Sequence, residues 1–260
     1  MISPKKSLGQ NFLVDKNIKN KMLNLSSIKN KNILEIGPGK GSLTEEIIKK
    51  KPKSLILIEK DFSLANELEK KFKKDKKIKV YSDDILKIDL EKIIKKNTIV
   101  FGNLPYNISS QILVKILRFN LWPPKFNDLI FMFQKELGEK IIGKFGTKNY
   151  GRLSILTSLR LDTLSKFLVS PNCFRPRPKV NSIVLHFRPK IMKFKIKKIE
   201  NLEKITNFFF SNKRKMVNKK VKKILHKKEI KNFKQLNLKC RPSELKPELY
   251  YKFTLLVEKR

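Results

Sequence analysis

The segment Asn103-Leu104-Pro105-Tyr106 ends an apolar run and joins residue types that could hold a planar, amino-bearing group. An Asn side-chain oxygen and a backbone carbonyl both accept hydrogen bonds, and an aromatic ring offers a stacking face. Proline lacks an N–H and fixes its φ, which restrains the backbone on either side. A plain turn could also use Asn103 and Pro105, although it would not need Tyr106. The rest of the chain decides between a turn and a functional segment.

Three glycines, Gly37, Gly39 and Gly41, follow the first predicted strand in the stretch LEIGPGKG. Glycine lets a backbone turn tightly and approach a ligand, but a tight strand–helix turn explains this spacing equally well. Glu59 ends the second predicted strand, where a carboxylate can accept hydrogen bonds from both hydroxyls of a ribose. A surface glutamate paired with Lys60 is the alternative.

Two more polar side chains follow later strands. Asp84 follows the third predicted strand, where a carboxylate can accept a hydrogen bond from an adenine amino group, and Asp83 is the less favoured candidate. Asn103 ends the fourth. Because such strand ends meet at one edge of a parallel sheet, they predict a pocket for an adenosine-bearing cofactor. The chain lacks the phosphate-loop motif GxxxxGK[ST], so S-adenosylmethionine fits best.

Short apolar runs alternate with helix-like stretches through most of the chain. Strands are predicted at residues 32–37, 54–59, 78–83, 98–103, 128–133, 166–170 and 182–187. Among the helical patterns between them, the one after the glycine turn starts with Ser42 and Glu45 at the spacing of a capping box. This alternation predicts an α/β fold with a mainly parallel sheet and helices on both faces.

The pattern changes after Arg188-Pro189. From about residue 190 the stretches IENLEKITNFFF and PELYYKFTLLVEK predict helices, and MKFKIK is the weakest strand candidate. We therefore predict a cofactor-binding catalytic domain at residues 1–189 and a basic helical substrate domain at residues 190–260. The aromatic run at 207–210 is predicted to form the core of the smaller domain.

Charge is the outlying feature of this 260-residue chain: 61 Lys and Arg against 23 Asp and Glu give a net charge of +38. This favours nucleic acid as the partner, and a compositional bias toward lysine is the alternative. Cys173 and Cys240 show no CxxC spacing, and with only His186 and His226 no metal site is expected. No signal-peptide core or membrane-length apolar run is found. A cytoplasmic protein without membrane contact is expected.

The chain resembles the small-subunit rRNA adenine N6,N6-dimethyltransferases over nearly its whole length. The blocks that carry the resemblance follow in the family's order: KKSLGQNFLVD, EIGPGKGSLT, IEKD, NLPYNISSQIL, FQKELGEKI, NYGRLSI, FRPRPKVNSIV, NFFFSNKRKMVNKKV and RPSELKPELYYKF. Two departures stand out. Asn181 replaces the family's usual acid, and KRKMVNKKV replaces a more arginine-rich stretch. Neither touches the expected methyl-transfer site.

The resemblance implies a Rossmann-like class I S-adenosylmethionine-dependent methyltransferase sheet with a small helical C-terminal domain. It implies N6,N6-dimethylation of two adjacent adenines in the 3′-terminal hairpin of small-subunit rRNA, within the assembling small ribosomal subunit, by a monomer. It implies a catalytic segment formed by Asn103, Leu104, Pro105 and Tyr106, with Phe174 on the base-stacking side. Cofactor contacts are implied for Gln10, Asn11, Leu13, Gly37, Glu59, Asp84 and Asn103.

Phe174 has two interpretations, both based on its place in the proline-stiffened stretch NCFRPRPK. As an exposed ring it would form the second wall of a slot for a flipped adenine, with Arg175 and Arg177 on neighbouring phosphates. As a core residue it would be buried beneath the loop. The exposed wall is the preferred prediction.

Three other functions stay open at this point. A large-subunit rRNA adenine methyltransferase of the macrolide-resistance type would share the cofactor blocks, although FRPRPKVNS and RPSEL favour the small-subunit enzyme. A non-catalytic nucleic-acid-binding factor on the same fold would not need Glu59, Asp84 and Asn-Leu-Pro-Tyr intact. A nicotinamide dehydrogenase is the most distant alternative, since it gives Asn-Leu-Pro-Tyr no role.

Overall fold

The computed structural model describes residues 9–231, 233 and 236–260, and it divides the chain into two compact units. The first unit comprises residues up to Gly138 together with Asp162–Pro189. The second comprises Glu139–Leu161 and Lys190–Arg260. The first few residues of the block KKSLGQNFLVD, and part of the stretch after residue 231, lie outside the described residues.

The first unit is built on a seven-stranded sheet. Its strands are β2 (Asn32–Ile36), β3 (Ser54–Glu59), β4 (Ile78–Ser82), β5 (Thr98–Asn103), β6 (Phe126–Gln134), β7 (Leu161–Val169) and β9 (Ser182–Pro189). They lie in the order β4-β3-β2-β5-β6-β9-β7. The pairs among β2 to β6 are parallel, and β9 runs antiparallel to β6. Each of the seven predicted strands therefore corresponds to an observed one.

A second, two-stranded sheet ties the N-terminal segment to the body of the first unit. Strand β1 (Phe12–Leu13) pairs antiparallel with β8 (Phe174–Arg175). In addition, the Cys173 carbonyl accepts hydrogen bonds from the backbone N–H groups of the two residues that follow β1. These bonds fix the N-terminal segment, which was predicted only through the family resemblance.

The helices of the first unit alternate with the strands, as the apolar pattern predicts. They are α1 (Lys16–Leu23), α2 (Ser42–Lys49), α3 (Phe62–Phe72), α4 (Leu90–Ile93), α5 (Ser109–Leu117) and α6 (Lys135–Ile141), the last of which crosses into the second unit. The predicted capping box at Ser42 is wrong. Gly41, at φ 78°, is the N-cap of α2, and the Ser42 hydroxyl instead donates to the Leu13 carbonyl.

The second unit is helical, as predicted, but it begins earlier in the chain. Its helices are α7 (Arg152–Arg160), α8 (Ile199–Phe210), α9 (Asn218–Ile224), α10 (Lys227–Lys231) and α11 (Pro247–Glu258), and MKFKIK forms no strand. The segment before β7 groups with them because its side chains and backbone bond to the C-terminal helices. Tyr150 donates to the Leu245 carbonyl at 2.8 Å, and Tyr251 donates to the Ile155 carbonyl at 2.8 Å. Residues 139–161, which were predicted to lie in the first domain, therefore belong to the second unit. The chain is also divided between residues 189 and 190, the position of the predicted boundary.

The aromatic run at 207–210 lies at the end of α8. Phe209 is fully buried and stacks on the Phe253 ring, with centroids 5.5 Å apart. Within the described residues, no helix is long and apolar enough to cross a membrane.

Candidate functional site

One cavity lies at the carboxyl edge of the parallel strands. The turn after β2, the end of β3 and the end of β5 all contribute to it, and it encloses about 1100 Å³ including the space at its mouth. A space of this size suits a nucleoside-sized ligand. The predicted residues that line it are Gln10, Asn11, Leu13, Gly37, Glu59, Asn103, Leu104, Pro105 and Tyr106. The structure therefore brings most of the predicted site together.

The glycine turn after β2 adopts a backbone that favours glycine. Gly37, Gly39 and Gly41 have φ of 67°, 58° and 78°, the left-handed region that side-chain-bearing residues rarely occupy. A Cβ at Gly39 would lie 2.8 Å from the Phe12 ring, so the turn and the N-terminal strand leave no room there for a side chain. The turn therefore requires glycine because of its backbone conformation and, at Gly39, because of the neighbouring Phe12 ring.

Glu59 is buried in the wall of the cavity, with 7% of its surface exposed. Its carboxylate accepts hydrogen bonds from the backbone N–H of Gly39 and of Asp61, each at 2.9 Å. Burial raises the pKa of Glu59, and these two amides partly offset the rise. The alternative of a surface pair with Lys60 does not hold, because Lys60 pairs with Asp84 at 2.8 Å. Glu59 thus supports the glycine turn and presents an acceptor to the cavity.

Glu59→Ala should weaken S-adenosylmethionine binding by roughly 2–3 kcal/mol, since it removes hydrogen bonds to a charged acceptor and releases the Gly39 amide. Titration calorimetry on the purified protein measures the change. Glu69→Ala, which removes an exposed carboxylate from α3, is the matched control and should bind as the wild type does. Unchanged affinity in Glu59→Ala would exclude this residue from the cofactor site.

Glu35, inside β2, is a second buried acid of the cavity, and no sequence motif assigned it a role. It is 2% exposed and accepts a hydrogen bond from the Thr44 hydroxyl at 2.7 Å. Burial raises the pKa of Glu35 from 4.5 to about 7, the Thr44 bond partly opposes this, and the neighbouring Glu59 adds to it. The signal in the sequence is a single acid within the apolar run at residues 33–36 of β2.

The stability of the protein should depend on pH through Glu35. Because its folded-state pKa lies above the unfolded value, its contribution to stability is complete below pH 4.5 and is lost as pH rises through 7. The loss amounts to roughly 3 kcal/mol at about 1.4 kcal/mol per pKa unit. Urea denaturation at pH 5 and pH 8 should therefore show a smaller pH difference in Glu35→Gln than in the wild type. Glu67→Gln, at an exposed position, is the control and should keep the wild-type difference in unfolding free energy between pH 5 and pH 8. The same difference in Glu35→Gln would show that Glu35 is not the source of the pH dependence.

The Asn103 side chain is oriented by the N-terminal segment. Its Nδ2 donates to the Asn11 carbonyl at 2.8 Å, which places the amide oxygen on the other side of the group. The next two carbonyls of the loop are occupied, because Pro105 accepts from the Ile108 amide at 3.2 Å and Tyr106 accepts from the Ser109 hydroxyl at 3.2 Å. Within the described part of the chain, neither Asn103 Oδ1 nor the Leu104 carbonyl has a hydrogen-bond donor. Two acceptors without a donor among the described residues thus lie in adjacent residues of the cavity wall.

The N-terminal segment lies along the cavity and is held by side-chain bonds. Gln10 donates to the Asp61 carboxylate at 3.2 Å. Lys19, only 9% exposed, donates to the Ser42 hydroxyl at 2.8 Å, and that hydroxyl donates to the Leu13 carbonyl at 2.9 Å. No local sequence motif relates Lys19 to Ser42, so this link was not predicted.

Asp84 is not among the residues that line the cavity, whereas its neighbour Asp83 is. One Asp84 oxygen accepts from the Leu86 amide at 2.9 Å, and the other pairs with Lys60. The Lys60 bond is the chief reason that the pKa of Asp84 lies below its usual value. The adenine contact of Asp84 stays a prediction, with Asp83 now the better-placed carboxylate.

The prediction that Phe174 is an exposed wall is wrong. The ring is fully buried in the hydrophobic core of the first unit, together with residues such as Leu13 and Val169. The cause is the pairing of β8 with β1, which sets Phe174 opposite Leu13 and turns the side chain inward. The adjacent Arg175 is exposed, so the loop keeps a cation at its surface.

His186 lies in a buried network of the sheet, away from the residues that line the cavity. Its Nε2 is 2.9 Å from Asp128 Oδ1, and the same carboxylate accepts from Arg188 and from the Ser26 hydroxyl. Among the described residues, no group of three or more His, Cys, Asp or Glu is placed to hold a metal ion.

The fold and the site together define an α/β methyltransferase of the class I type. The defining features are a mainly parallel sheet, a glycine turn after β2, an acid at the end of β3 and Asn-Leu-Pro-Tyr after β5. A family model described as ribosomal RNA adenine dimethylase matches residues 1–259. The chain therefore belongs to the ribosomal RNA adenine dimethylase family.

Individual relatives agree with this membership. The chain is 47% identical to ribosomal RNA small subunit methyltransferase A of Pelagibacter ubique (strain HTCC1062) over 255 residues, 96% of this chain and 95% of the relative. It is 40% identical to the protein of the same name from Mycoplasmopsis synoviae (strain 53) over 240 residues, 90% of this chain and 88% of the relative.

Solved structures support the fold. A dimethyladenosine transferase from Plasmodium falciparum matches with a TM-score of 0.75 and 25% identity, covering 95% of this chain and 98% of that one. The 23S rRNA methyltransferase ErmE matches with a TM-score of 0.70 and 20% identity, covering 95% of this chain and all of that one, and shows the fold alone. The predicted family, fold class, enzyme class and S-adenosylmethionine cofactor are confirmed, and the alternatives are not favoured.

Proposed function

We propose that this protein transfers methyl groups from S-adenosylmethionine to N6 of two adjacent adenines in the 3′-terminal hairpin of small-subunit (16S) rRNA. It acts as a monomer on the assembling small ribosomal subunit in the cytoplasm. The observation that carries the proposal is the pair of free acceptors, Asn103 Oδ1 and the Leu104 carbonyl, beside a nucleoside-sized cavity. The names of the small-subunit relatives support the choice of RNA.

The residues of the cavity fit the cofactor. Glu59 offers a buried carboxylate to the ribose hydroxyls, the Gly37–Gly39 turn offers backbone that a ligand can approach, and Asp83 or Asp84 offers an acceptor to the adenine amino group. S-adenosylmethionine, when bound, supplies an electrophilic methyl group on a positively charged sulfur. A wall rich in carboxylate and carbonyl oxygens suits that charge.

The two free acceptors have a specific task on the target base. The lone pair of an adenine amino group is delocalised into the ring, so the nitrogen becomes nucleophilic only as it rehybridises toward a tetrahedral form. Asn103 Oδ1 and the Leu104 carbonyl favour that form by accepting hydrogen bonds from the amino group. The group offers two N–H donors in the first transfer and one in the second. Pro105 restrains the backbone that carries the Leu104 carbonyl. Tyr106 stacks on the base, which must leave its helix to reach the site.

No strong general base takes part, because the amine gains positive charge on attack and its proton is then acidic. Solvent receives that proton, because the two neutral amide oxygens accept hydrogen bonds but are too weakly basic to hold it. The rate therefore depends chiefly on orientation, for which well-placed groups can supply about 7–11 kcal/mol. This is consistent with a site that presents acceptors and a ring rather than a histidine–carboxylate pair.

Substrate RNA is held by positive charge. The chain carries a net charge of +38, and the second unit contains exposed Lys and Arg at positions such as 213–215 between α8 and α9. Such residues bind phosphates without reading sequence, so they position the RNA while the cavity selects the base.

Mass spectrometry of small-subunit rRNA tests the proposed function. Precursor small subunits that lack the modification are incubated with the protein and isotopically labelled S-adenosylmethionine, and protein-free large-subunit RNA is the parallel substrate. Two dimethyladenosines in the 3′-terminal hairpin are expected only in the first sample. Label in the large-subunit RNA alone, or in neither RNA, would contradict the proposal.

A further inference from the structure

The Tyr106 ring is fixed at both ends. Its backbone follows Pro105, and its hydroxyl lies 2.5 Å from the hydroxyl of Ser182. Ser182 is the first residue of β9, is fully buried, and pairs with Gln134 of β6 in the central sheet. The tip of the tyrosine is therefore hydrogen-bonded to a buried strand of the central sheet, while Tyr106 lines the cavity.

A second anchor matters because a tyrosine held only by its backbone keeps two rotatable bonds. The torsion that sets the plane of the ring is broad, so the ring of an otherwise free tyrosine samples a range of planes. A stacking contact to a base needs one plane, and ordering the ring only when the base arrives would cost conformational entropy. The bond to Ser182 sets the plane before the base arrives.

We propose that Ser182 is a positioning residue of the methyl-transfer site, which holds the Tyr106 ring in the plane that stacks on the target adenine. The inference rests on the proposed function, since it gives Tyr106 the role described above. Ser182 is not among the residues that line the cavity. It acts only through the tyrosine.

The hydroxyl pair serves orientation and not proton transfer. Burial raises the pKa of Tyr106 above its usual value, although the Ser182 bond opposes this, so the phenol stays protonated at neutral pH. Ser109 contacts the same residue but bonds to the Tyr106 backbone carbonyl, so it restrains the chain and not the ring. Ser182 is thus the contact that acts on the ring plane.

The test uses Ser182→Ala, Tyr106→Phe and the double variant in the full-length protein. Each single change removes the same hydrogen bond and keeps the aromatic ring. We expect kcat for methylation of precursor small subunits to fall about three- to tenfold in each, the range for one hydrogen bond. Because both changes break one contact, the double variant should fall no further than the lower single variant. The dissociation constant for S-adenosylmethionine should not change.

The chain offers a control for the loss of a serine hydroxyl that is paired with a tyrosine. Ser158 in the second unit lies 2.9 Å from the Tyr251 hydroxyl, the same kind of pair outside the cavity. Because Ser158 is exposed whereas Ser182 is fully buried, Ser158→Ala should lower the thermal midpoint no more than Ser182→Ala does, and it should leave kcat at the wild-type value. A fall in kcat shared by both variants would show a general loss of structure and would overturn the inference.

A spectroscopic readout reports the ring plane directly. With 2-aminopurine in place of the target adenine, stacking on Tyr106 should quench its fluorescence in the wild type and less so in Ser182→Ala. Wild-type quenching and wild-type kcat in Ser182→Ala would overturn the proposal for Ser182. If the wild-type protein does not methylate small-subunit rRNA at all, the proposed function fails instead, so the two failures are distinguishable.

Discussion

Asn103→Ala should lower kcat for rRNA methylation by more than tenfold, a loss above about 1.4 kcal/mol in transition-state stabilisation. The side chain supplies one of the two acceptors for the adenine amino group, and alanine leaves that N–H group without its acceptor in the cavity wall. The oxygen is correctly placed because Nδ2 donates to the Asn11 carbonyl. Alanine removes both the acceptor and the bond that orients it.

Single-turnover methylation of precursor small subunits, with cofactor affinity measured separately, checks this expectation. Affinity for S-adenosylmethionine should change less than kcat, although Asn103 borders the cofactor cavity. Asn32→Ala is the matched control, because the Asn32 amide also donates to a backbone carbonyl, that of Lys96 at 3.0 Å, at the opposite end of the sheet. Wild-type turnover in a folded Asn103→Ala protein would remove Asn103 from the catalytic segment.

The sheet and its edge could be predicted from sequence because they depend on local signals. A strand buried on both faces appears as a continuous apolar run, and the observed β3 (Ser54–Glu59) and β5 (Thr98–Asn103) have the predicted limits. The end of such a run marks the place where backbone leaves the sheet, so Glu59 and Asn103 were placed at the cavity by the ends of their strands.

Side-chain direction was not predictable in the same way. Asp83 and Asp84 are neighbours beyond β4, and a one-residue difference in the loop decides which of them faces the cavity. Ser42 has the sequence of a helix cap, but a distant lysine, Lys19, and the Leu13 carbonyl use its hydroxyl instead. Both outcomes depend on partners that are far away in the sequence.

Long-range pairing also decided the domain limits and the role of Ser182. The segment 139–161 precedes β7 in sequence, yet it belongs to the helical unit through contacts such as that between Tyr150 and Leu245. Ser182 meets Tyr106 across many intervening residues. A single sequence carries no signal for such contacts, because neither residue type nor spacing distinguishes them from unrelated pairs.

Phe174→Ala should lower the free energy of unfolding by about 3–5 kcal/mol, the usual cost of truncating a buried phenylalanine. The ring is fully buried in the core of the first unit, and its strand β8 pairs with the β1 segment that lines the cavity. A void there removes contacts from both strands. Urea denaturation followed by circular dichroism measures the loss, and Phe62→Ala, at a ring that is 69% exposed, is the control that should change little.

The same variant separates the two interpretations of Phe174. If the ring is core, methylation by the folded fraction of Phe174→Ala falls only as far as the loosened β1 segment weakens cofactor binding. If the ring instead stacks on a flipped base, stability stays near wild type while RNA methylation falls by the roughly 1–3 kcal/mol of a base–aromatic stack. If Phe174→Ala leaves the free energy of unfolding unchanged and reduces methylation, the result would contradict the core assignment and favour Phe174 as a base-stacking residue.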